Sequence, residues 1–266
     1  MSTLQEKAAL FHQSHVKGNP LVLVNVWDAG SALAIQSAGA TAIATGSWSV
    51  AAAHGEQDGE TMPFQLVLDN LARVTANVNL PVTIDIEGGY GRFASEVKEN
   101  VSQVIHHGAV GINIEDQLPA GVGLYAVEEQ CMRLSAAREA AEQAGIPLFI
   151  NARTDIFLQN APERHNHTLL EEALIRSKAY AEAGASGLFV PGLQNQQLIQ
   201  ELCERSSLPV NVMVTSREPS PKQLALLGVA RVSYGPYPYL QAMEHLKELG
   251  QSILKGGPRT NISDHL

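Results

Sequence analysis

Short hydrophobic runs alternate with longer amphipathic segments along most of this chain. The runs are nearly continuously apolar and rich in β-branched residues, which is typical of parallel strands covered on both faces. They lie at residues 21–28, 41–46, 81–88, 111–116, 148–155, 187–192, 210–214 and 231–236. The pattern therefore predicts a series of buried parallel strands.

The segments between the strands carry apolar residues at three- and four-residue spacing, as amphipathic helices do. The spacing predicts helices at residues 64–77, 128–143 and 169–183, and a further helix over residues 3–14 precedes the first strand. Glycine accepts the left-handed conformation that closes a helix, so it marks the predicted helix ends. The glycines at these ends are Gly39, Gly108, Gly145 and Gly184.

These units together predict a single (β/α)8 barrel of the α/β class, with the N-terminal helix covering one end. The barrel domain spans residues 1–254, and residues 255–266, rich in Gly, Pro and polar residues, form a flexible C-terminal tail. The alternative is an open doubly wound sheet, which usually has a phosphate-binding glycine turn after its first strand. The segment Asp28-Ala29-Gly30-Ser31 is not such a turn, so the barrel is favoured.

Composition narrows the class of protein. The chain has 266 residues, of which 45% are hydrophobic, enough for one large core. Its net charge is −9 and its Lys and Arg residues do not cluster, which argues against nucleic-acid binding. No apolar stretch reaches the length of a membrane span, no secretory signal is evident, and only two cysteines occur, so we expect a cytoplasmic protein without membrane contact.

Acidic residues concentrate at the carboxyl ends of two neighbouring predicted strands, where a barrel opens its loops. Asp85 and Glu87 end the third strand, and Glu115 and Asp116 end the fourth. Alternation along a strand aims Asp85 and Glu87 to the same side. Converging carboxylates repel one another unless a cation lies among them, and all-oxygen ligands suit Mg²⁺ or Mn²⁺ rather than zinc. The sequence therefore predicts a metal site.

Arg153, at the end of the fifth strand, complements this metal site. A guanidinium holds a carboxylate with two parallel hydrogen bonds, so metal and arginine together would bind a 2-oxo acid through its oxo oxygen and its carboxylate. Other interpretations stay open. Arg153 is also suited to pair with the acids, and Asp28 and Asp155 are suited to cap helices or to lie in solvated loops.

Several segments, in order and with family-like spacing, resemble the isocitrate lyase/phosphoenolpyruvate mutase superfamily over nearly the whole barrel. They are residues 25–32 (NVWDAGSA), 55–59 (GEQDG), 85–91 (DIEGGYG), 111–116 (GINIED) and 151–155 (NARTD). The resemblance implies an Mg²⁺ site at Asp85. It also implies that Asp58, Glu87 and Glu115 reach the metal partly through water molecules.

The same resemblance implies a set of substrate contacts. The backbone amides of Gly46, Ser47 and Trp48 would hold the substrate carboxylate. Arg153 would lie at the reacting centre, and Asn211, by a looser match, would bind a second carboxylate. The superfamily also implies a homodimer or homotetramer, in which a helix can be exchanged between subunits.

The segment after the fourth strand departs from this superfamily. The lyases carry Lys-Lys/Arg-Cys-Gly-His in this gate loop, and the phosphonate-forming mutases carry Lys and Asn. Here residues 117–125 read QLPAGVGLY, with no Cys, His, Lys or Asn. Gly192 also stands after the sixth strand, where many lyases have Glu. The particular reaction of either group is therefore not implied.

A few side chains near the predicted mouth are suited to proton transfer. We expect Asp58, Tyr90 and Arg153 to be the catalytic residues. Tyr125 would join them if the gate loop closes over the site. His54 lies near the mouth in sequence terms and is a weaker candidate for moving protons.

These residues predict an Mg²⁺-dependent enzyme that acts on a small anionic 2-oxo or enol carboxylate. We expect it to cleave the bond next to the carbonyl and release pyruvate or its enolate, as in oxaloacetate decarboxylation or phosphonopyruvate hydrolysis. One alternative is an isomerase that resembles the phosphonomutases. Another is a non-catalytic barrel that binds a 2-oxo acid.

Overall fold

The computed structural model describes residues 2–119 and 121–256. These residues form one sheet of parallel strands surrounded by α-helices. The strands are β1 (Leu21–Leu23), β2 (Asn25–Val26), β3 (Ile43–Thr45), β4 (Val82–Asp85), β5 (Gly111–Glu115), β6 (Phe149–Arg153), β7 (Gly187–Phe189), β8 (Val210–Met213) and β9 (Arg231–Ser233). The helices are α1 (Leu4–Gln13), α2 (Ala29–Ser37), α3 (Ser47–His54), α4 (Phe64–Asn77), α5 (Ala94–His106), α6 (Val127–Ala144), α7 (His167–Glu182), α8 (Gln196–Arg205), α9 (Pro221–Leu226) and α10 (Tyr237–Leu254), with a short 3₁₀ helix at Pro162–Arg164.

The sheet closes on itself through the first predicted strand. Its order is β1-β9-β8-β7-β6-β5-β4-β3-β2, so β1 pairs with the last strand and β2 pairs with β3. The prediction of a (β/α)8 barrel is thus confirmed. The single strand predicted over residues 21–28 is divided at Val24, because its two halves bond to different neighbours.

Helix α1 covers the amino-terminal end of the barrel, as predicted. Thr3 and Glu6 form a capping box that fixes where this helix begins. Phe11 is fully buried and meets Phe149, at the start of β6, edge to face with ring centroids 5.6 Å apart. His15 stacks on the same ring at 3.7 Å. One end of the barrel is therefore closed by aromatic packing, which leaves the carboxyl ends of the strands as the open end.

The outer helices pack an apolar face on the barrel and end close to the predicted positions. Helix α4 has the predicted bounds and buries Val67, Leu71 and Val74. Helix α6 ends at Ala144 and is capped by Gly145, whose φ of 66° lies in the left-handed region that glycine accepts without strain. Among the described helices, none combines the length and the hydrophobicity that crossing a membrane requires.

Helix α10 differs from the others because none of its residues is buried. It ends at Leu254. The predicted tail spans residues 255–266, and of these, residues 257–266 lie outside the described residues.

Candidate active site

A cavity of about 190 Å³ opens at the carboxyl ends of the strands. We call it the mouth cavity. One strand-end acid, one loop acid, an arginine, strand asparagines and the beginning of a helix meet in it. Its lining includes Asn25, Gly46, Ser47, Trp48, Asp58, Asp85, Asn113, Arg153, Phe189, Met213 and Ser233.

A larger groove, of about 670 Å³, lies outside the barrel next to α5 and the gate loop. Acidic side chains, including Glu96, Glu99 and Glu129, line it together with Arg92. The groove contains neither Asp85 nor Arg153. The mouth cavity is therefore the better candidate, although it is the smaller of the two.

Asp85 ends β4 and is held in a defined orientation. Its backbone N–H donates to Thr45 Oγ1 at 3.2 Å, and the hydroxyl of Ser47 donates to its Oδ2 at 3.4 Å. Its Oδ1 accepts from the backbone N–H of Glu87 at 3.1 Å. The residue is 8% exposed, so its carboxylate faces the mouth cavity rather than bulk water.

Arg153 lies across the cavity among several acids. Its Nε and Nη2 donate to Asp155 at 2.6 and 2.7 Å, and its Nη1 lies 2.7 Å from Glu115 Oε2 and 4.0 Å from Asp85 Oδ2. Burial alone would lower the pKa of Arg153, but the charges of Glu115 and Asp155 hold it well above its ordinary value. The guanidinium is therefore a permanent positive charge at the mouth.

Asp155 pairs with Arg153, whereas Asp28 caps a helix. Asp155 is fully buried and is the bidentate partner of Arg153, so it is not a solvated loop residue. Asp28 is the N-cap of α2 and accepts from the backbone N–H of Ser31 at 2.7 Å. The sequence does not distinguish these two cases, because each acid ends a predicted strand.

Glu87 connects the end of β4 to the loop that carries Asp58. Its Oε2 accepts from the backbone N–H groups of Gly59 and Glu60, each at 2.6 Å, and its Oε1 accepts from the hydroxyl of Tyr90 at 2.7 Å. Both carboxylate oxygens are therefore engaged by the protein. Glu87 and Tyr90, predicted as a metal-site residue and a catalytic residue, do not line the mouth cavity.

Asp58 lies at the exposed rim of the mouth, with its carboxyl in an acidic environment. Although the residue as a whole is exposed, its carboxyl is partly withdrawn from water; this, and then the charges of Glu87 and Asp85, raise its pKa to about 6. A cation in the mouth would relieve this repulsion.

Helix α3 begins at the mouth, a feature that the sequence analysis missed. Gly46 is its N-cap and has no side chain to cap the helix, so the first backbone N–H groups, at Ser47 and Trp48, have no capping acceptor. Such a helix beginning attracts anions, which suits the predicted carboxylate site at Gly46, Ser47 and Trp48. The sequence signal was the Ala-rich stretch that ends at Gly55.

Three other predicted residues lie away from the mouth cavity. Asn211 is buried inside the barrel, where its amide and the hydroxyl of Ser233 are 3.2 Å apart. His54 is exposed, and its Nδ1 bonds to the carbonyl of Val50 in its own helix. Tyr125 is buried with its ring under the guanidinium of Arg133, at 4.6 Å.

The gate loop, described except for Ala120, folds back on itself beside the mouth. Gln117 and Leu124 form an antiparallel bridge, and the N–H of Leu118 donates to the carbonyl of Gly123 at 3.1 Å. The amide of Gln159, in the loop after β6, donates to Gly123 O at 2.9 Å and accepts from Gly123 N at 2.8 Å. The side chain of Gln159 thus holds the backbone of the gate loop at Gly123.

The acids of the mouth fit Mg²⁺ bound largely through water. In the part of the chain that the structure describes, no three His, Cys, Asp or Glu side chains are close enough to form a metal cluster by themselves. Mg²⁺ commonly keeps several waters and takes only one or two carboxylates, so a cluster is not required. Asp85 is the best-placed direct ligand, and Asp58 lines the same cavity. Glu115 is not in the lining and is connected to Asp85 through Arg153, whose Nη1 lies 2.7 Å from Glu115 and 4.0 Å from Asp85. Glu87 is less available because its oxygens are already bonded.

Comparison with known proteins gives consistent results over nearly the whole chain. The family model described as phosphoenolpyruvate phosphomutase matches residues 11–254. The crystal structure of a "putative phosphonomutase" from Burkholderia cenocepacia J2315 is 50% identical, has a TM-score of 0.91, and covers 96% of this chain and 100% of its own.

Two curated proteins are similar over comparable lengths. An uncharacterized protein of Mycobacterium tuberculosis (strain ATCC 25618 / H37Rv) is 34% identical over 92% of this chain and 89% of its own. The 2-methylisocitrate lyase of Escherichia coli (strain K12) is 28% identical over 95% of this chain and 86% of its own.

Proposed function

The chain belongs to the phosphoenolpyruvate phosphomutase family, within the isocitrate lyase/phosphoenolpyruvate mutase superfamily, and on this premise we propose its reaction. Its relatives are lyases and mutases, so the chain is an enzyme of that kind. We propose that it cleaves the bond next to the carbonyl of a small 2-oxo carboxylate, with Mg²⁺, to give pyruvate through its enolate.

One arrangement supports this proposal most strongly. The beginning of α3 and the guanidinium of Arg153 line the same cavity, with the carboxylate of Asp85 among them. Amides of the helix beginning suit a carboxylate, and Arg153 suits the oxygen on which charge develops. A molecule with a carboxylate directly beside a carbonyl presents its oxygens to these groups at once.

Asp85 would hold the metal, with Asp58 and Glu115 acting through water. When bound, Mg²⁺ would withdraw electrons from the carbonyl and stabilise negative charge on its oxygen. Mn²⁺ suits the same oxygen ligands. Arg153 is held by Glu115 and Asp155, so the protein itself fixes its position.

The gate loop favours a reaction that needs no strong acid from that loop. Oxaloacetate decarboxylation and phosphonopyruvate hydrolysis meet this condition, because neither requires the Cys, His or Lys that residues 117–125 lack. Asp58 lines the mouth cavity and, unlike Glu115 and Asp155, is not paired with Arg153, so its carboxyl is available to hold or release a proton. Tyr90 would support it by fixing Glu87, since its hydroxyl is committed there.

A phosphonomutase-like isomerisation is the second candidate. It is favoured by the likeness to the Burkholderia protein, which is 50% identical over almost the whole chain. The missing Lys and Asn of the gate loop argue against it. A barrel that binds a 2-oxo acid without turnover is the third candidate, although the acids and Arg153 are all in place.

We also propose a homodimer or homotetramer built through α10. This helix buries none of its residues and exposes Leu240, Leu246, Leu249 and Ile253. Light scattering coupled to size exclusion would measure the assembly. A substitution of Leu246 by Glu should weaken it.

A time course by phosphorus and proton NMR would test the reaction. The purified protein with Mg²⁺ would be offered oxaloacetate, phosphonopyruvate, phosphoenolpyruvate and 2-methylisocitrate in turn. Pyruvate formed from one of them, beyond the rate with Mg²⁺ alone, would support cleavage and identify the leaving group. Interconversion of phosphonopyruvate and phosphoenolpyruvate would instead support the isomerase, and no turnover with retained binding would support the third candidate.

A further inference from the structure

A buried arginine lies inside the barrel beneath the mouth cavity. Arg231, on β9, is 1% exposed, yet it forms no salt bridge with any residue that the structure describes. Its Nη2 donates to Asn113 Oδ1 at 3.3 Å and its Nε to Ser233 Oγ at 3.4 Å, while its Nη1 is buried without a described partner. Burial lowers its pKa to about 9, against the opposing charge of Asp85.

Stability alone does not account for this side chain. A buried charge without an oppositely charged partner is expensive, and an apolar side chain of similar volume often gives a protein of equal or greater stability. The two hydrogen bonds of Arg231 are long and go to uncharged groups. However, both acceptors of these hydrogen bonds, Asn113 and Ser233, line the mouth cavity.

The guanidinium determines which way the amide of Asn113 points. Arginine carries only donors, so the atom of Asn113 that faces it must be the oxygen. Asn151 Nδ2 donates to the same Oδ1 at 2.9 Å, which occupies its second acceptor position. The Nδ2 of Asn113 is therefore at the opposite end of the amide and has no acceptor among the described residues. Its two N–H groups are left for the mouth cavity.

The register of the sheet places this amide beside the acids of the site. Asn113 pairs with Asp85 across β4 and β5, and residues paired in a parallel sheet point to the same side. Both residues line the mouth cavity with Arg153. An oxygen of a ligand held between Asp85 and Arg153 would thus lie near the free N–H groups of Asn113.

We propose that Asn113 is a substrate-binding residue that donates from Nδ2 to an oxygen of the bound 2-oxo carboxylate, and that Arg231 is the positioning residue that keeps this amide turned toward the cavity. This role adds a substrate contact to the proposed function and rests on that function. It predicts that the site selects ligands with an acceptor oxygen at this position. Arg231 itself contributes through Asn113 and Ser233, not by touching the substrate.

Asn113→Asp tests the substrate contact with almost no change of shape. One carboxylate oxygen still accepts from Arg231 and Asn151, so the fold is retained, but the other end now repels an anion. The dissociation constant of oxalate, a planar dicarboxylate, would be measured by calorimetry at saturating Mg²⁺. We expect it to rise about tenfold to hundredfold, the range for a hydrogen bond to a charged group. Asn195→Asp, at the N-cap of α8, adds the same charge away from the mouth and should bind as the wild type does.

Arg231→Met and Arg231→Lys test the positioning role. Met fills a similar volume without a donor, so the amide is free to turn, and oxalate affinity should fall while the melting temperature stays equal or rises. Lys keeps a charged donor and should restore part of the affinity. If Arg231 had only a structural role, Arg231→Met would lower the melting temperature and leave the affinity for oxalate unchanged.

The outcomes separate this inference from the function on which it rests. Failure of the wild-type protein to bind oxalate with Mg²⁺ would overturn the proposed function and the inference with it. Binding by the wild type that Asn113→Asp leaves unchanged would overturn the substrate contact alone. Unchanged affinity in Arg231→Met, with Asn113→Asp impaired, would overturn the positioning role alone.

Discussion

Glu87 accepts hydrogen bonds from the backbone N–H groups of Gly59 and Glu60 at 2.6 Å each, and this contact fixes the loop that carries Asp58 to the end of β4. Hydrogen bonds to a buried carboxylate are among the stronger ones in proteins, each contributing about 1.5–3 kcal/mol. We therefore expect this acid to act mainly on the shape of the mouth.

Glu87→Ala should release this loop. We expect faster hydrogen exchange at residues 58–60 and weaker Mg²⁺-dependent oxalate binding, with the barrel strands still protected. Glu87→Gln keeps an oxygen for the two N–H groups, and the Tyr90 hydroxyl can turn to accept, so its exchange should stay near that of the wild type. Equal protection in Glu87→Ala would show that the loop is held by other contacts.

Arg153→Lys should impair ligand binding although it keeps the positive charge. Lysine lacks the planar fork that holds Asp155 with two bonds while facing Glu115, so the charge would no longer be fixed at the mouth. We expect oxalate affinity to fall at least about tenfold, with a lower melting temperature. Arg205→Lys, which changes an exposed arginine paired with Glu171, is the matched control and should behave as the wild type does. Retained affinity in Arg153→Lys would mean that only the charge is needed.

Gln159→Ala should loosen the gate loop. It removes both hydrogen bonds to Gly123, which we expect to accelerate hydrogen exchange at residues 121–125. Each neutral hydrogen bond contributes about 1 kcal/mol, so the effect should be local and the melting temperature nearly unchanged. Gln159→Glu keeps the acceptor, so its hydrogen exchange at these residues should be faster than in the wild type and slower than in Gln159→Ala. If exchange did not change, the bridge between Gln117 and Leu124 would be sufficient to hold the loop.

His15 should make the protein sensitive to acid. Its burial, and then the charge of Arg231, lower its pKa from 6.5 to about 3. Between these values the unfolded chain binds a proton that the folded chain does not, so stability rises with pH in this window and is lost as pH falls below about 6.5. The contribution to the slope is at most about 1.4 kcal/mol per pH unit.

His15→Phe keeps the stacking on Phe149 and removes the proton. Urea unfolding at several pH values should show a shallower slope for this variant between pH 3 and 6.5. His167→Phe, at an exposed position, should leave the slope unchanged. Parallel slopes for wild type and His15→Phe would contradict the assignment.

The barrel and the acids of the mouth could be predicted because both follow from short-range patterns in the sequence. Hydrophobic runs give the strands, and the acids at their ends share one edge by topology alone. The partners of Glu87 and Tyr90 could not be predicted, because they depend on how the loop after α3 folds back over β4. Arg231 was missed for a similar reason. It lies within an apolar strand, and only closure of the barrel brings it to Asn113, a residue far away in sequence.

We propose that Asp85 and Arg153 form a metal-dependent site for a 2-oxo carboxylate. Calorimetric titration of oxalate into the protein, with and without Mg²⁺, tests it most directly in the wild type, Asp85→Ala and Asp69→Ala. The last is the matched control, since Asp69 lies on α4 outside the mouth cavity. We predict binding that requires Mg²⁺, is lost in Asp85→Ala and is retained in Asp69→Ala. Oxalate binding that is equally tight without Mg²⁺, or unchanged in Asp85→Ala, would contradict the claim.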